Sequence, residues 1–96
     1  MTFPFDTNAV IEICRQNEVS KVGVFGSMAR GEANEESDID LLVDFSRRGI
    51  TLLDVVRIER ELSEALGRKV DLVTEGAISP YLRERILADL KVIYET

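Results

Sequence analysis

Apolar and polar positions along the chain fall into alternating helix-like and strand-like runs. Val10, Ile11, Cys14 and Ile13 recur at helical spacing between about Asn8 and Asn17, so the pattern predicts an amphipathic helix with Thr7 as its cap. Lys21-Val22-Gly23-Val24-Phe25 reads as a short buried strand that runs straight into Gly26-Ser27 and a short helical segment through Ala29 and Arg30. Gly31 to Ser37 is a polar, acidic loop, and Ile39 to Phe45, rich in Leu and Val, predicts a second strand.

Thr51 to Leu66 gives the clearest helical period, with Leu52, Val55, Val56, Leu62 and Leu66 on one side, charges opposite and Gly67 as the stop. Val70 to Val73 predicts a third strand, Pro80 opens a last helix to about Leu90, and Val92-Ile93-Tyr94 predicts a final edge strand. Helix and strand alternate without repeats, linkers or low-complexity segments, which predicts an α/β fold in a single domain, 1–96. The segment between Phe25 and Ile39 holds too little helix for a parallel crossover. A small mixed sheet of three to four strands is therefore expected, with its strand order left open by the pattern.

Composition narrows the reading. With 96 residues, 45% of them apolar, the chain can form one core but not a second lobe, so a surface that presents a substrate has to come from a partner. The 18 acidic and 12 basic side chains leave a net charge of −6, which works against bulk nucleic-acid binding. A nucleotide accompanied by divalent cations is compatible with that charge, because the ions reverse the local sign. One cysteine and no histidine exclude an internal disulfide and a Cys/His zinc site, and fit a reducing cytoplasm. Cys14 reads as ordinary core. No charged leader precedes a long apolar run and no stretch approaches a membrane span, so a soluble, cytoplasmic protein is expected.

The chemistry concentrates on three aspartates. Asp38 and Asp40 flank Ile39 at the start of the second strand, and strand alternation puts both carboxylates on one face, with Cα atoms roughly 6.6 Å apart. Asp44 has the same parity but lies roughly 13 Å beyond Asp40, too far to share an ion. Asp71 interrupts an apolar strand, a position where a carboxylate is costly without partners. Three such carboxylates on one sheet face suit two magnesium ions that clamp a phosphoryl group, with Asp71 also helping to deprotonate an incoming hydroxyl.

Gly26 lets a backbone approach a phosphate, Ser27 adds a hydroxyl, and the following helix turns its amides to the same point, which together make a triphosphate seat. The two common nucleotide loops do not fit: Gly31 is followed by Glu32 rather than Lys-Ser or Lys-Thr, and Gly23 and Gly26 lack the third glycine of a dinucleotide loop. Arg30 is placed to bind a phosphate or to pair with Glu32, Glu35 or Glu36, and the sequence leaves that choice open. The charges of Arg57, Arg60, Glu61 and Glu64 read as a solvated helix face, and Tyr81 and Tyr94 as rings packed with the hydroxyl outward.

Gly26-Ser27-Met28-Ala29-Arg30-Gly31 followed by Ser37-Asp38-Ile39-Asp40-Leu41-Leu42-Val43 resembles the signature of the minimal nucleotidyltransferases, a family of the DNA polymerase β-like superfamily. The resemblance spans essentially the whole chain and puts Asp71 where the third catalytic carboxylate of the family is expected. It implies a small α/β fold with a mixed sheet, ATP as donor, two magnesium ions and a helical HEPN protein as partner. It further implies an antitoxin that transfers AMP to a tyrosine hydroxyl of a toxic HEPN ribonuclease. Two other readings stand beside it: a non-catalytic module that inhibits its partner by occlusion, and an adenylyltransferase acting on a small molecule such as an aminoglycoside.

Overall fold

In the computed structural model, which describes residues 3–96, Asp6 rather than Thr7 starts the first helix. The Asp6 side chain accepts a hydrogen bond from the Ala9 amide at 3.1 Å and opens α1, Thr7–Gln16. Asp and Thr are both good caps one residue apart, so the pattern alone does not choose between them. Val10, Ile13 and Cys14 are buried, while Ile11 is left half-exposed at the margin of the inward stripe. Glu18 takes a left-handed φ of 61° and turns the chain into β1, Val19–Phe25, two residues earlier than its apolar run suggests.

A single helical turn, α2 (Ser27–Arg30), and the acidic loop lead to β2, Ile39–Phe45. The longest helix, α3 (Leu52–Leu66), opens on a reciprocal cap in which the Thr51 hydroxyl accepts from the Asp54 amide at 3.2 Å and the Asp54 carboxylate accepts from the Thr51 amide at 2.9 Å. Gly67, with φ 63°, ends it. Its inward stripe departs from the expected one. Ile58 and Leu62 are buried and Val55 and Leu66 pack at the core margin, but Leu52 and Val56 are 77% and 51% exposed. Val56 lies off the stripe that runs through 55, 58, 62 and 66, and the first turn has nothing packed over Leu52. Burying the Leu62 side chain stabilises the fold by about 1.5–3 kcal/mol.

After α3 come β3 (Val70–Thr74), a 3-10 turn (Glu75–Ala77), α4 (Pro80–Asp89) and β4 (Lys91–Glu95). The four strands stand in the order β3-β2-β1-β4; β1 pairs antiparallel with β2 and β4, and β2 pairs parallel with β3, so the sheet is mixed. The parallel pair is made by α3, which carries the chain back across the sheet. Glu59 of α3 fixes the join, its carboxylate accepting from the Leu72 amide at 2.8 Å.

The two faces of the sheet differ. Val22, Val24, Ile39, Leu41, Val43, Val70 and Leu72 enter one core with α1 and α3. The alternate positions, among them Lys21, Gly23, Asp40, Asp44 and Asp71, form the opposite face. There α4 packs on β1, and the chain leaving it is close: a Cβ on Gly23 would sit 2.5 Å from Cδ1 of Leu90, the residue that caps α4, and 3.3 Å from the carbonyl of Lys91 at the start of β4. No residue of α4 is buried, in keeping with a helix that rests on the sheet without entering its core.

Candidate active site

Strand pairing assembles the acidic positions. Asp40 of β2 is the register partner of Asp71 on one side and of Phe25, the last residue of β1, on the other. Neighbouring strands lie about 4.8 Å apart, and a parallel ladder preserves side-chain parity, so Asp71, Asp40 and the end of β1 stand in a row on the open face. Asp38 lies two residues before Asp40 at the same edge. Asp40 is half-buried, whereas Asp38 and Asp71 are exposed. Burial, and then the charges of Asp71 and Asp38, raise the Asp40 carboxyl above its ordinary range, while Arg30 pulls it partly back.

Gly26 is built against that carboxylate. Its backbone sits at φ 74°, ψ −153°, a conformation open essentially to glycine alone, and a Cβ there would lie 2.3 Å from Asp40 Oδ2. The sequence assigned this glycine to a close phosphate; the structure shows that the first group it admits is Asp40. Ser27 follows at the start of α2, half-buried, and Met28 and Ala29 anchor the turn in the core. With only four residues α2 contributes little helix dipole, so what it offers an anion is its leading amides, which no side chain caps.

Arg30 has two commitments. Its Nε donates to Glu32 Oε1 at 2.9 Å and its Nη1 to Asp89 Oδ2 at 2.6 Å. Of the three glutamates open to it in sequence, Glu32 takes it, and a fourth acid from the end of α4 joins. Arg30 is therefore a strut between the Gly26 turn and α4, and Asp89, 59 positions away, gave no signal of this in the sequence.

Lys69 was also missed. Its Nζ stands 3.8 Å from Asp38 Oδ2, its carbonyl accepts from the Ile39 amide at 2.9 Å, and the preceding Arg68 donates through Nη2 to the Glu35 carbonyl at 2.9 Å. These contacts tie the acidic loop to the start of β3. The pairing of Asp40 with Asp71 sets Lys69 beside Asp38, so parity carries the signal once the register is known. The ion pair itself is exposed and worth little.

Asp44 belongs elsewhere. Burial, followed by the neighbouring Glu75 carboxyl, raises the Asp44 carboxyl, while Arg83 holds Glu75 below the usual range. Cys14 is fully buried, its thiol pushed up to about 12, which makes it inert core. Tyr81 differs from its expected packing: it is 96% exposed, whereas Tyr94 packs against the core.

The donor set at Asp38, Asp40 and Asp71 is all carboxylate oxygen, which suits a hard divalent cation. Among the described residues no three acidic side chains are drawn together tightly enough to ligate an ion as they stand. Burial raises Asp40 most, and the repulsion from Asp71 and Asp38 that adds to it is what a cation at this edge would relieve. No helix among the described residues is long and apolar enough to cross a membrane.

Residues 8–93 match the family described as the nucleotidyltransferase domain. The chain belongs to that family. This nucleotidyltransferase is 47% identical over 78 residues to a Methanocaldococcus jannaschii protein classed by name among the protein adenylyltransferases, spanning 81% of this chain and 83% of the relative. It is 40% identical over 72 residues to the protein adenylyltransferase MntA of Thermococcus cleftensis, spanning 75% of this chain and 72% of the relative. A crystal structure described as a toxin-antitoxin with AMP-PNP superimposes with a TM-score of 0.84 at 26% identity, over 95% of this chain and 74% of that one. The nucleotidyltransferase is thus an enzyme similar to proteins named protein adenylyltransferases, and its α/β fold carries a mixed sheet.

Proposed function

We propose that this nucleotidyltransferase moves AMP from ATP to a hydroxyl, a tyrosine of a HEPN toxin, and so acts as the antitoxin of a pair. The observation that carries the reading is the row of Asp71, Asp40 and the Gly26 turn on the sheet face opposite the core. The likeness to a toxin-antitoxin structure with a bound nucleotide analogue and the names of its relatives support it.

In this mechanism the Gly26-Ser27 turn seats the triphosphate, and Arg30, whose Nη2 has no hydrogen-bond partner among the described residues, stands at the same mouth. Asp38, Asp40 and Asp71 would hold two magnesium ions, which neutralise the triphosphate and the departing charge when bound. The acceptor oxygen attacks the α-phosphorus in line, the bond from that phosphorus to the bridging oxygen breaks, and pyrophosphate leaves. The acceptor proton passes to Asp71, an exposed carboxylate on the strand edge. The partner supplies the surface that presents the hydroxyl.

The test is label transfer from α-labelled ATP to the co-purified partner. Asp38→Asn, Asp40→Asn and Asp71→Asn each abolish it; undiminished transfer by the Asp71 variant removes that residue from the site. Intact mass of the partner separates the other readings. A gain of one or more AMP units supports transfer to protein, and stoichiometric binding with no gain supports occlusion. Adenylylation of an added aminoglycoside with the partner unmodified would support a small-molecule acceptor.

A further inference from the structure

Beside the Gly26 turn, a cleft of about 280 Å³ opens between the end of β1 and α4. Its walls are apolar at Phe25, Leu82 and Ile86, and its rim carries Arg30, Arg85 and Asp89. Gly26 lines it as well, so the cleft is continuous with the turn that seats the triphosphate. A larger cavity of about 350 Å³, between α1 and β4, is lined by Phe3, Ile11 and Val92 and shares no residue with the carboxylate site.

We propose that the cleft under α4 is the base slot of the nucleotide, and that Asp89 reads an exocyclic amino group on that base. This rests on the nucleotide reading above and extends it to specificity. A planar base has two apolar faces and a polar edge, and the cleft matches both: aliphatic and aromatic side chains flank it, and guanidinium planes at Arg30 and Arg85 are able to stack on a ring. Asp89 is the acceptor at its rim. Its Oδ2 is held by Arg30 at 2.6 Å, and its Oδ1 has no hydrogen-bond partner among the described residues. An ionised carboxylate only accepts, so it favours an amino group over a carbonyl at the base edge. In this slot the position-6 edge turns towards Asp89, where adenine presents the N6 amino group and guanine the O6 acceptor; the N2 amino group of guanine lies on the far side of N1, away from the carboxylate. The Arg30 strut fixes Asp89 and carries it on α4, which places the specificity element outside the core and within reach of Gly26.

The experiment is a calorimetric titration with magnesium of three probes: the α,β-methylene analogues of ATP and of GTP, and inorganic tripolyphosphate. Wild type binds the adenine analogue about tenfold tighter than the guanine analogue, as one charged hydrogen bond gained or lost predicts. Asp89→Ala brings that ratio to about one; because it also releases Arg30, the ratio of the two nucleotides is the readout rather than the affinity for tripolyphosphate. Ile86→Trp fills the cleft and removes the advantage of either nucleotide over tripolyphosphate. An unchanged ratio in Asp89→Ala overturns its role, and an unchanged nucleotide advantage in Ile86→Trp overturns the slot. If wild type binds none of the three probes, the nucleotide reading falls and the slot with it; binding of tripolyphosphate alone overturns the slot only. Photolabelling of wild type with 2-azido-ATP needs no variant: label on residues 80–90 supports the slot, and label confined to other peptides overturns it.

Discussion

Replacing Gly26 with alanine separates two reasons for a glycine that a single substitution would merge. The first is backbone: at φ 74°, ψ −153° a residue with a Cβ is strained by about 1–3 kcal/mol. The second is contact: the new Cβ meets Asp40 Oδ2 at 2.3 Å and Cγ at 3.2 Å, so Asp40 must leave its rotamer, which adds about 0.5–1.5 kcal/mol. Gly26→Ala should therefore destabilise the fold by about 2–4 kcal/mol, a large share of the 5–15 kcal/mol typical of a domain. In an Asp40→Ala background only the Asp40 Cβ remains, 3.5 Å away and in ordinary contact, so the contact share vanishes and the backbone share stays. Urea unfolding of the four proteins, followed by far-UV circular dichroism, gives the cycle, and equal m-values check that the comparison is valid. The expected coupling is about 0.5–1.5 kcal/mol. A coupling below about 0.3 kcal/mol would refute the contact, and a Gly26→Ala penalty below about 1 kcal/mol would refute the backbone argument.

Other expectations follow from the same packing. Leu62→Ala should lower stability by about 2–5 kcal/mol, while Leu52→Ala, at an equally apolar position of α3, should stay within about 0.5 kcal/mol; similar losses at both would reject the helix phase described above. Asp40 has a folded carboxyl raised above its unfolded value, so its contribution to stability is present at low pH and is lost as pH rises through the folded value. In chelator at neutral pH, Asp40→Asn should therefore melt above wild type, with the gap closing as pH falls below the ordinary aspartate range; a lower melting temperature at neutral pH counts against the repulsion. Arg30→Ala should speed amide exchange across α4 and leave the β1 and β2 amides protected, because Asp89 loses its strut and α4 buries nothing of its own; exchange in α4 as slow as in wild type would show that the helix is held by other contacts.

The placing of the acidic pair was legible because its logic is local: Asp38 and Asp40 flank the buried Ile39 at the start of β2 wherever that strand lies in the sheet. Asp71 needed more. Its place beside Asp40 depends on β3 running parallel to β2 in one register, and that is decided by how α3 crosses the sheet. The Arg30-Asp89 and Lys69-Asp38 contacts were illegible for the same reason, since the partners meet only after the sheet is assembled. The α3 face shows a different gap. Leu52 and Val56 carry the hydrophobic period as well as Val55 does, but periodicity records which side of a helix is apolar and not where its neighbours stop. The displaced cap at Asp6 is the ordinary ambiguity of two capping residues in succession.

The two-faced sheet separates what selection can act on. Along β2, Ile39, Leu41 and Val43 hold the fold, while Asp40 and Asp44 on the other face add nothing to the core. Chemistry and folding are therefore encoded on alternate letters of the same strand, and each can drift without dragging the other. Under the proposed function, a lineage that lost Asp40 would shed its reaction and keep its shape with less internal repulsion than before. What remained would be a sturdy scaffold, still shaped to hold the proposed partner without modifying it.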